Sequence, residues 1–180
     1  MRFALNLLLA LAIALGLSGG ILAADGVDYM AKVITRLDSY VSWEAEKNFE
    51  GNGKYLVISV VGDTPLVTSL QALNREKTDT GRKIKVRVVD TKALPANSHI
   101  LVLSTMDSEL VKTATAKLRG TGTLVVSQGD GFGMMGSVLN LVEEPDGDKS
   151  RVVIELNVEA AKSEGLVVKP SLLKIVRVLK

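Results

Sequence analysis

Tyr55-Leu-Val-Ile-Ser-Val-Val61 is an apolar run broken by a single serine and stopped by Gly62-Asp63-Thr64-Pro65. A run this short and this rich in β-branched residues reads as a strand covered on both faces, which needs a parallel sheet with helices above and below. The flanking sequence supplies the helices. Between Asp28 and Trp43, apolar residues fall at Met30, Val33, Ile34, Leu37, Tyr40 and Val41, the 3.6-residue spacing of an amphipathic helix. Pro65 suits the first turn of a second helix through Leu73.

The alternation then repeats. Ile84 to Val89 predicts a strand whose one face carries Lys85 and Arg87, and Ile100 to Leu103 a short buried strand. Asp107 or Ser108 caps a helix to Leu118, and Leu124 to Val126 is another buried strand. Ser137 to Val142 and Arg151 to Leu156 flank Glu143-Glu-Pro-Asp-Gly-Asp148, turn chemistry that predicts an antiparallel hairpin. Val158 to Glu164 reads as a helix stopped by Gly165, and Pro170 starts a last helix with Leu172, Ile175, Val176 and Leu179 on one face. The expected fold is α/β: a mostly parallel central sheet with helices on both faces, closed by an antiparallel C-terminal hairpin and a final helix.

Ala4 to Leu17 is hydrophobic except for Asn6 and Gly16, follows Arg2, and is cut short by Ser18-Gly19-Gly20. That is the length of a signal-peptide core rather than of a membrane span. Residues 1–24 are therefore read as a signal peptide cleaved near Ala23 or Ala24, with an uncleaved anchor as the alternative, and residues 25–180 as one exported domain. Lys and Arg (22) nearly balance Asp and Glu (20), so the charge argument for nucleic acid is missing. One histidine and no cysteine exclude cysteine zinc sites, thiol catalysis and sites built from several histidines, and no metal or cofactor is expected.

Sheets of this kind take ligands at the carboxyl ends of their strands. Those ends are Gly62-Asp63-Thr64, Ser104-Thr105 and Ser127-Gln-Gly-Asp-Gly131, which makes Asp63, Ser127 and Gly131 candidate ligand residues. Gly131-Phe-Gly-Met-Met-Gly136 has dinucleotide-loop spacing, but a strand pattern follows where the phosphate site needs a helix, so it reads as a turn carrying the chain from sheet centre to hairpin. Phe132, Met134 and Met135 in that loop suit the core or a partner surface. Trp43, the only tryptophan, reads as a core plug or an interface anchor. The lone His99 opens a buried strand and reads as structural. The carboxylates at Glu143, Glu144, Asp146 and Asp148, and the basic stripe from Arg82 to Arg87, read as solvated charge.

Taken in order, these segments resemble the YfiR-like family of periplasmic regulatory proteins from Tyr29 to Val178. Val57 to Leu66 is similar to the family's first strand and its Gly-Asp segment, and Gly81-Arg-Lys-Ile-Lys-Val-Arg87 to its second strand. Ser98-His-Ile-Leu-Val-Leu-Ser104 and Thr123-Leu-Val-Val-Ser127 match the next two. The most specific stretch is Arg151-Val-Val-Ile-Glu-Leu-Asn157, continued by Ala160-Ala161, Gly165-Leu166 and Ser171-Leu-Leu-Lys174. Glu44 stands where the family usually has proline, Val153 replaces aromatic or basic character, and Met134-Met-Gly136 replaces Gly-Gly-Met.

The resemblance implies a non-enzymatic exported regulator that binds the periplasmic part of an inner-membrane signalling protein, such as a diguanylate cyclase, and so modulates cyclic-di-GMP output. The partners it implies are a membrane sensor (diguanylate cyclase or histidine kinase) and a second copy of the chain, with Trp43 and Phe132 as contact candidates and no nucleic acid. Without cysteines, the disulfide-based redox control of some relatives cannot operate here. The alternative is a periplasmic small-molecule binding protein serving a transporter or receptor, with its ligand at Asp63, Ser127 and Gly131.

Overall fold

A computed structural model of the chain describes residues 23–46, 49, 53–62, 64–147 and 149–180. The predicted strand at its centre is there with the bounds read from sequence: β2 (Tyr55–Val61), with only Tyr55 short of full burial. Before it come α1 (Ala23–Arg36), one 3-10 turn (Leu37–Ser39) and β1 (Val41–Trp43). After it follow α2 (Pro65–Ala72), β3 (Lys83–Val89), β4 (Ile100–Leu103), α3 (Ser108–Lys117) and β5 (Leu124–Gln128). The C-terminal part contributes β6 (Leu139–Asp146), β7 (Lys149–Asn157), α4 (Val158–Ser163), β8 (Leu166–Val168), α5 (Pro170–Leu173) and β9 (Arg177–Leu179).

Seven strands form one sheet in the order β3-β2-β4-β5-β6-β7-β9, and β1 pairs with β8 in a separate two-stranded sheet. Strands β3, β2, β4, β5 and β6 are mutually parallel, β6 and β7 form the antiparallel hairpin, and β9 returns parallel to β7. Because side chains alternate across a strand, the register sorts them into rows. One row runs Val60, Val102, Val126, Leu139 and Leu156 across five neighbouring strands, and all five are buried. It belongs to the larger core, where Met30 and Ile34 of α1, Leu66 and Leu70 of α2, Ala161 of α4 and Leu172 of α5 cover that face. The opposite face buries Val61, Leu101, Leu103 and Val125 under Val111 and Ala114 of α3 and Leu118 just past its end. Helices therefore lie on both faces, as the unbroken apolar strands require.

Two segments depart from the sequence reading. The helix expected through Trp43 ends at Arg36, and Val41, Ser42 and Trp43 alternate buried, exposed, buried as a strand opposite Val168, Val167 and Leu166. Apolar spacing across Leu37 to Val41 fits both periods, and the distant β8 supplies the hydrogen bonds that decide between them. The final helix keeps only Pro170–Leu173, and Arg177–Leu179 pairs instead with Glu155, Leu156 and Asn157 of β7. Without β9 those backbone groups of β7 would be an open edge.

Leu156 closes the long apolar row and is fully buried. Leu156→Ala is expected to lower unfolding stability by about 2–5 kcal/mol in urea titrations. Val178→Ala, beside it on the exposed edge strand, should change stability by no more than about 0.5 kcal/mol.

Candidate functional site

The carboxyl ends of β2, β4 and β5 meet, as the alternation of strands and helices implies. Thr64 Oγ1 lies 2.8 Å from Ser104 Oγ, which donates to Gln128 Oε1 at 2.9 Å. Gln128 Nε2 in turn donates to the Met30 sulfur of α1 at 2.8 Å. Asp63 lies outside the described residues. The polar groups gathered here bond one another, so they tie three strand ends and one helix together.

A second network grows from the row on the other face of the sheet. The register that aligns Val61 and Leu103 continues through Ser127, Asn140, Glu155 and Arg177, turning from apolar to polar toward the sheet edge. Ser127 Oγ donates to Asn140 Oδ1 at 3.0 Å. The Asn140 amide nitrogen donates to the Gly129 carbonyl at 2.7 Å and to Glu155 Oε2 at 2.9 Å. Arg177 Nη1 reaches Glu144 Oε1 at 2.5 Å and Glu155 Oε1 at 3.5 Å. The Arg177 guanidinium holds the Glu144 carboxyl below its ordinary range, with Arg151 adding to the effect. Glu144, expected as solvated charge, thus joins an edge network.

The glycine loop is held by this network. After Gly129 the chain forms one 3-10 turn, Phe132–Met135, and passes straight into β6. That is the turn expected from the sequence, with no helix to receive a pyrophosphate. Gly129 has φ +136, and a Cβ there would sit 3.0 Å from the Phe132 ring and 3.5 Å from the Met106 methyl. Gly131 is left-handed, with φ 76. Phe132 is buried against α3, while Asn157 Nδ2 donates to the Gly133 carbonyl at 2.9 Å and its Oδ1 caps α4. Two methionines remain outside: Met106 is 78% exposed and Met134 is 66% exposed. Of the predicted residues, Ser127, Gly131 and Phe132 thus gather at this end of the sheet.

Trp43 lies at the other end, at the start of β4. Its indole Nε1 donates to the His99 carbonyl at 3.0 Å, and the two rings meet edge to face with centroids 5.3 Å apart. Phe49 packs on the imidazole from 4.8 Å. The Val57 amide donates to His99 Nδ1 at 3.2 Å, so the proton sits on Nε2, which faces Glu46 Oε1 at 3.5 Å. Arg82 stands over the Trp43 ring at 5.9 Å and pairs with Glu46 at 2.6 Å and Asp38 at 3.3 Å. Asp38 is buried and also accepts from Thr78 at 2.6 Å and from Thr80. Arg82, expected on a solvated face, is instead the hub of this cluster. Sequence reasoning missed Asn140, Asn157, Asp38 and the role of Arg82. A lone Asn inside the apolar run Val138-Leu-Asn-Leu-Val142 was the available signal for the first.

Among the described residues, no three His, Asp or Glu side chains gather as a metal site, and no helix is long and apolar enough to cross a membrane. A parallel sheet with an antiparallel edge, presenting a braced glycine loop where its central strands end, defines an α/β domain of the loop-presenting kind. The chain belongs to the YfiR/HmsC-like family, whose model matches residues 28–177. That family is known for periplasmic regulatory domains rather than for catalysis.

A conserved domain protein from Vibrio cholerae O1 biovar eltor superposes with a TM-score of 0.56 at 13% identity, covering 86% of this chain and 60% of that one. The ABC domain from Streptococcus pneumoniae in complex with L-Trp gives 0.50 at 11% identity, with the same coverages. These likenesses concern the fold alone, and the chain spans 60% of the length of either structure. No curated protein matches.

Burial, then the nearby Arg82 charge, push the His99 imidazole below the ordinary histidine range, against an opposing pull from Glu46 and Asp38. The folded state therefore binds its proton more weakly than the unfolded chain does. The stabilisation is complete above the unfolded value of about 6.5 and is lost as pH falls below it, at up to about 1.4 kcal/mol per pH unit. Urea titrations at pH 7.5, 6.5 and 5.5 should show this fall. His99→Asn, which keeps an acceptor for the Val57 amide, should flatten it.

Asn140→Ala strips partners from Ser127, Glu155 and the Gly129 carbonyl. It should cost about 1–3 kcal/mol in the same titrations and speed proteolysis at the glycine loop.

Proposed function

We propose that the chain is an exported, non-enzymatic regulator that sets its glycine-loop surface against the extracytoplasmic part of an inner-membrane signalling protein, such as a diguanylate cyclase, and lowers that protein's output. The domain works in the periplasm, delivered there by residues 1–24. Family membership supports the class of protein. The observation that carries the reading is the pair of exposed methionines: Met134, on the glycine loop whose backbone is braced by Asn140 and Asn157, and Met106, in the β4–α3 connection, whose side chain reaches Gly129 of that loop. Methionine side chains are flexible and polarisable, and they recur on surfaces that grip protein partners. A rigid loop loses little entropy on docking, so the exposed thioethers contribute to affinity with small ordering cost.

Binding of a metabolite at the strand ends is the weaker reading, because Thr64, Ser104 and Gln128 already satisfy one another. Trp43 and Phe132 act in this reading as supports, buried beneath the surfaces they shape.

The test places a photoreactive phenylalanine analogue at Met106 or Met134, with exposed Thr113 of α3 as the control. Irradiation of envelope fractions should join the loop positions, and not Thr113, to a membrane signalling protein. Met106→Glu with Met134→Glu should leave the unfolding midpoint unchanged to within about 0.5 kcal/mol while raising the partner's output to the level of the deletion strain. Full repression by the double variant sinks the reading.

A further inference from the structure

At the amino ends of β2 and β3, away from the methionine surface, a groove of about 590 Å³ opens between Gly53-Lys54-Tyr55, Lys77 and Thr80-Gly81-Arg82-Lys83. Lys54 and Tyr55 lead into β2, and Arg82 and Lys83 lead into β3. Thr78 to Gly81 make a tight turn, closed by the Gly81 amide on the Thr78 carbonyl. The turn folds Lys77 back against the outer edge of β3.

The charge arrangement in this groove is unusual for a solvated face. Lys77 and Lys83 are directly opposed in an antiparallel bridge. The amide of Thr78 bonds the Arg82 carbonyl and the amide of Ile84 bonds the Glu76 carbonyl, both at 2.8 Å. This is the pattern of a non-hydrogen-bonded pair, in which the two side chains stand closest. Like charges placed so destabilise the pairing. Lys54, whose carbonyl accepts from the Lys83 amide at 3.1 Å, lines the same groove from the start of β2.

Ordinary surfaces relieve such repulsion with a carboxylate. Among the described residues, none lies within ion-pair reach of Lys54, Lys77 or Lys83, although Glu76 and Asp79 are in the same turn. The fourth cation, Arg82, is already neutralised by Asp38 and Glu46. The surplus charge of the groove is therefore the three ammonium groups.

We propose that this groove is a binding site for a small phosphate-bearing anion with two or more adjacent negative charges. Three ammonium groups on neighbouring backbone positions act as point charges around one volume. A clustered oxyanion relieves the Lys77–Lys83 repulsion and accepts charge-assisted hydrogen bonds from all three. A single carboxylate would leave two of the charges uncompensated. The site gives the protein a ligand of its own, distinct from the docking surface at the opposite end of the sheet.

The probe is inorganic pyrophosphate, titrated into the full chain by calorimetry and by thermal unfolding at constant ionic strength. Saturable binding with a rising unfolding midpoint is expected, because a ligand of the folded state alone stabilises it. Lys77→Gln with Lys83→Gln should weaken binding by about tenfold to a hundredfold, the loss that follows from removing charge-assisted bonds. Without pyrophosphate, that variant should unfold at the same temperature as the parent or higher, since it removes repulsion, which a purely structural role for these lysines would not produce.

A second arm sediments the protein with phosphatidylglycerol or phosphatidylcholine vesicles. Pyrophosphate binding without sedimentation assigns a soluble phosphate ligand, and sedimentation with phosphatidylglycerol that pyrophosphate competes away assigns a lipid headgroup. No saturable response to pyrophosphate, or an equal response in the double variant, overturns the proposal.

Discussion

The side-chain amide of Asn140 is the join on which this architecture turns. It stands, fully buried, at the strand where a parallel sheet changes to an antiparallel hairpin. Its oxygen takes the Ser127 hydroxyl from β5, and its nitrogen is shared between the Gly129 carbonyl and the Glu155 carboxylate of β7. A buried amide must find such partners or lose several kcal/mol of hydration. The pairing therefore specifies register as well as stability. Slipping β6 by one residue would put Asn140 into the apolar row of Val126 and Leu156 and turn Leu141 toward the glycine loop.

How much of this was legible in the sequence follows from where each decision is made. Strands β2, β4 and β5 are covered on both faces, so their own composition fixes them, and Tyr55–Val61 and Ile100–Leu103 were readable to the residue. The β6–β7 hairpin was readable from Pro-Asp-Gly between two apolar stretches. Strands β1, β8 and β9 have three residues each, and their partners lie far away in the chain. For segments so short, local pattern is compatible with a helix, and only the tertiary partner selects the strand. Trp43 shows this most clearly: its spacing suits a helix end, yet its place is set by the His99 carbonyl, 56 residues on.

The candidate sites follow the same logic. Topology alone brings the ends of β2, β4 and β5 together, so Ser127 and Gly131 could be singled out from the sequence. What could not be read is which polar groups satisfy which. Asp38 and Arg82 lie in segments that look amphipathic and solvated, and they become partners, Asp38 buried and Arg82 partly so, only when β3 comes to lie beside β2 and the Thr78 turn closes over Asp38. The Lys77–Lys83 opposition was equally invisible, because it arises from a backbone bridge between two stretches that each look like ordinary surface. Charge runs in a sequence report solvation by default, and their pairing is a property of the fold.

The two ends of the sheet are distinct in chemistry but share their scaffolding. Strand β4 has His99 before its first residue and Ser104 after its last, a separation of five residue steps, or about 16 Å. Every residue of β4 is buried, and close-packed interiors pass displacement on rather than absorb it. Helix α1 makes the same traverse: Met30 receives the Gln128 amide at the carboxyl end, and the chain leaving the helix delivers Asp38 to Arg82 at the amino end. Arg82 is also a wall of the lysine groove. An anion at the proposed site would stand beside the guanidinium that Asp38 and Glu46 neutralise, and a shift in that balance would act on the chain immediately after α1. The element that would carry it, α1, packs directly on the strand end beside the glycine loop. The proposed ligand site and the proposed docking surface, at opposite ends of one sheet, are thus joined by a buried strand and a helix, the simplest physical arrangement through which one could bias the other.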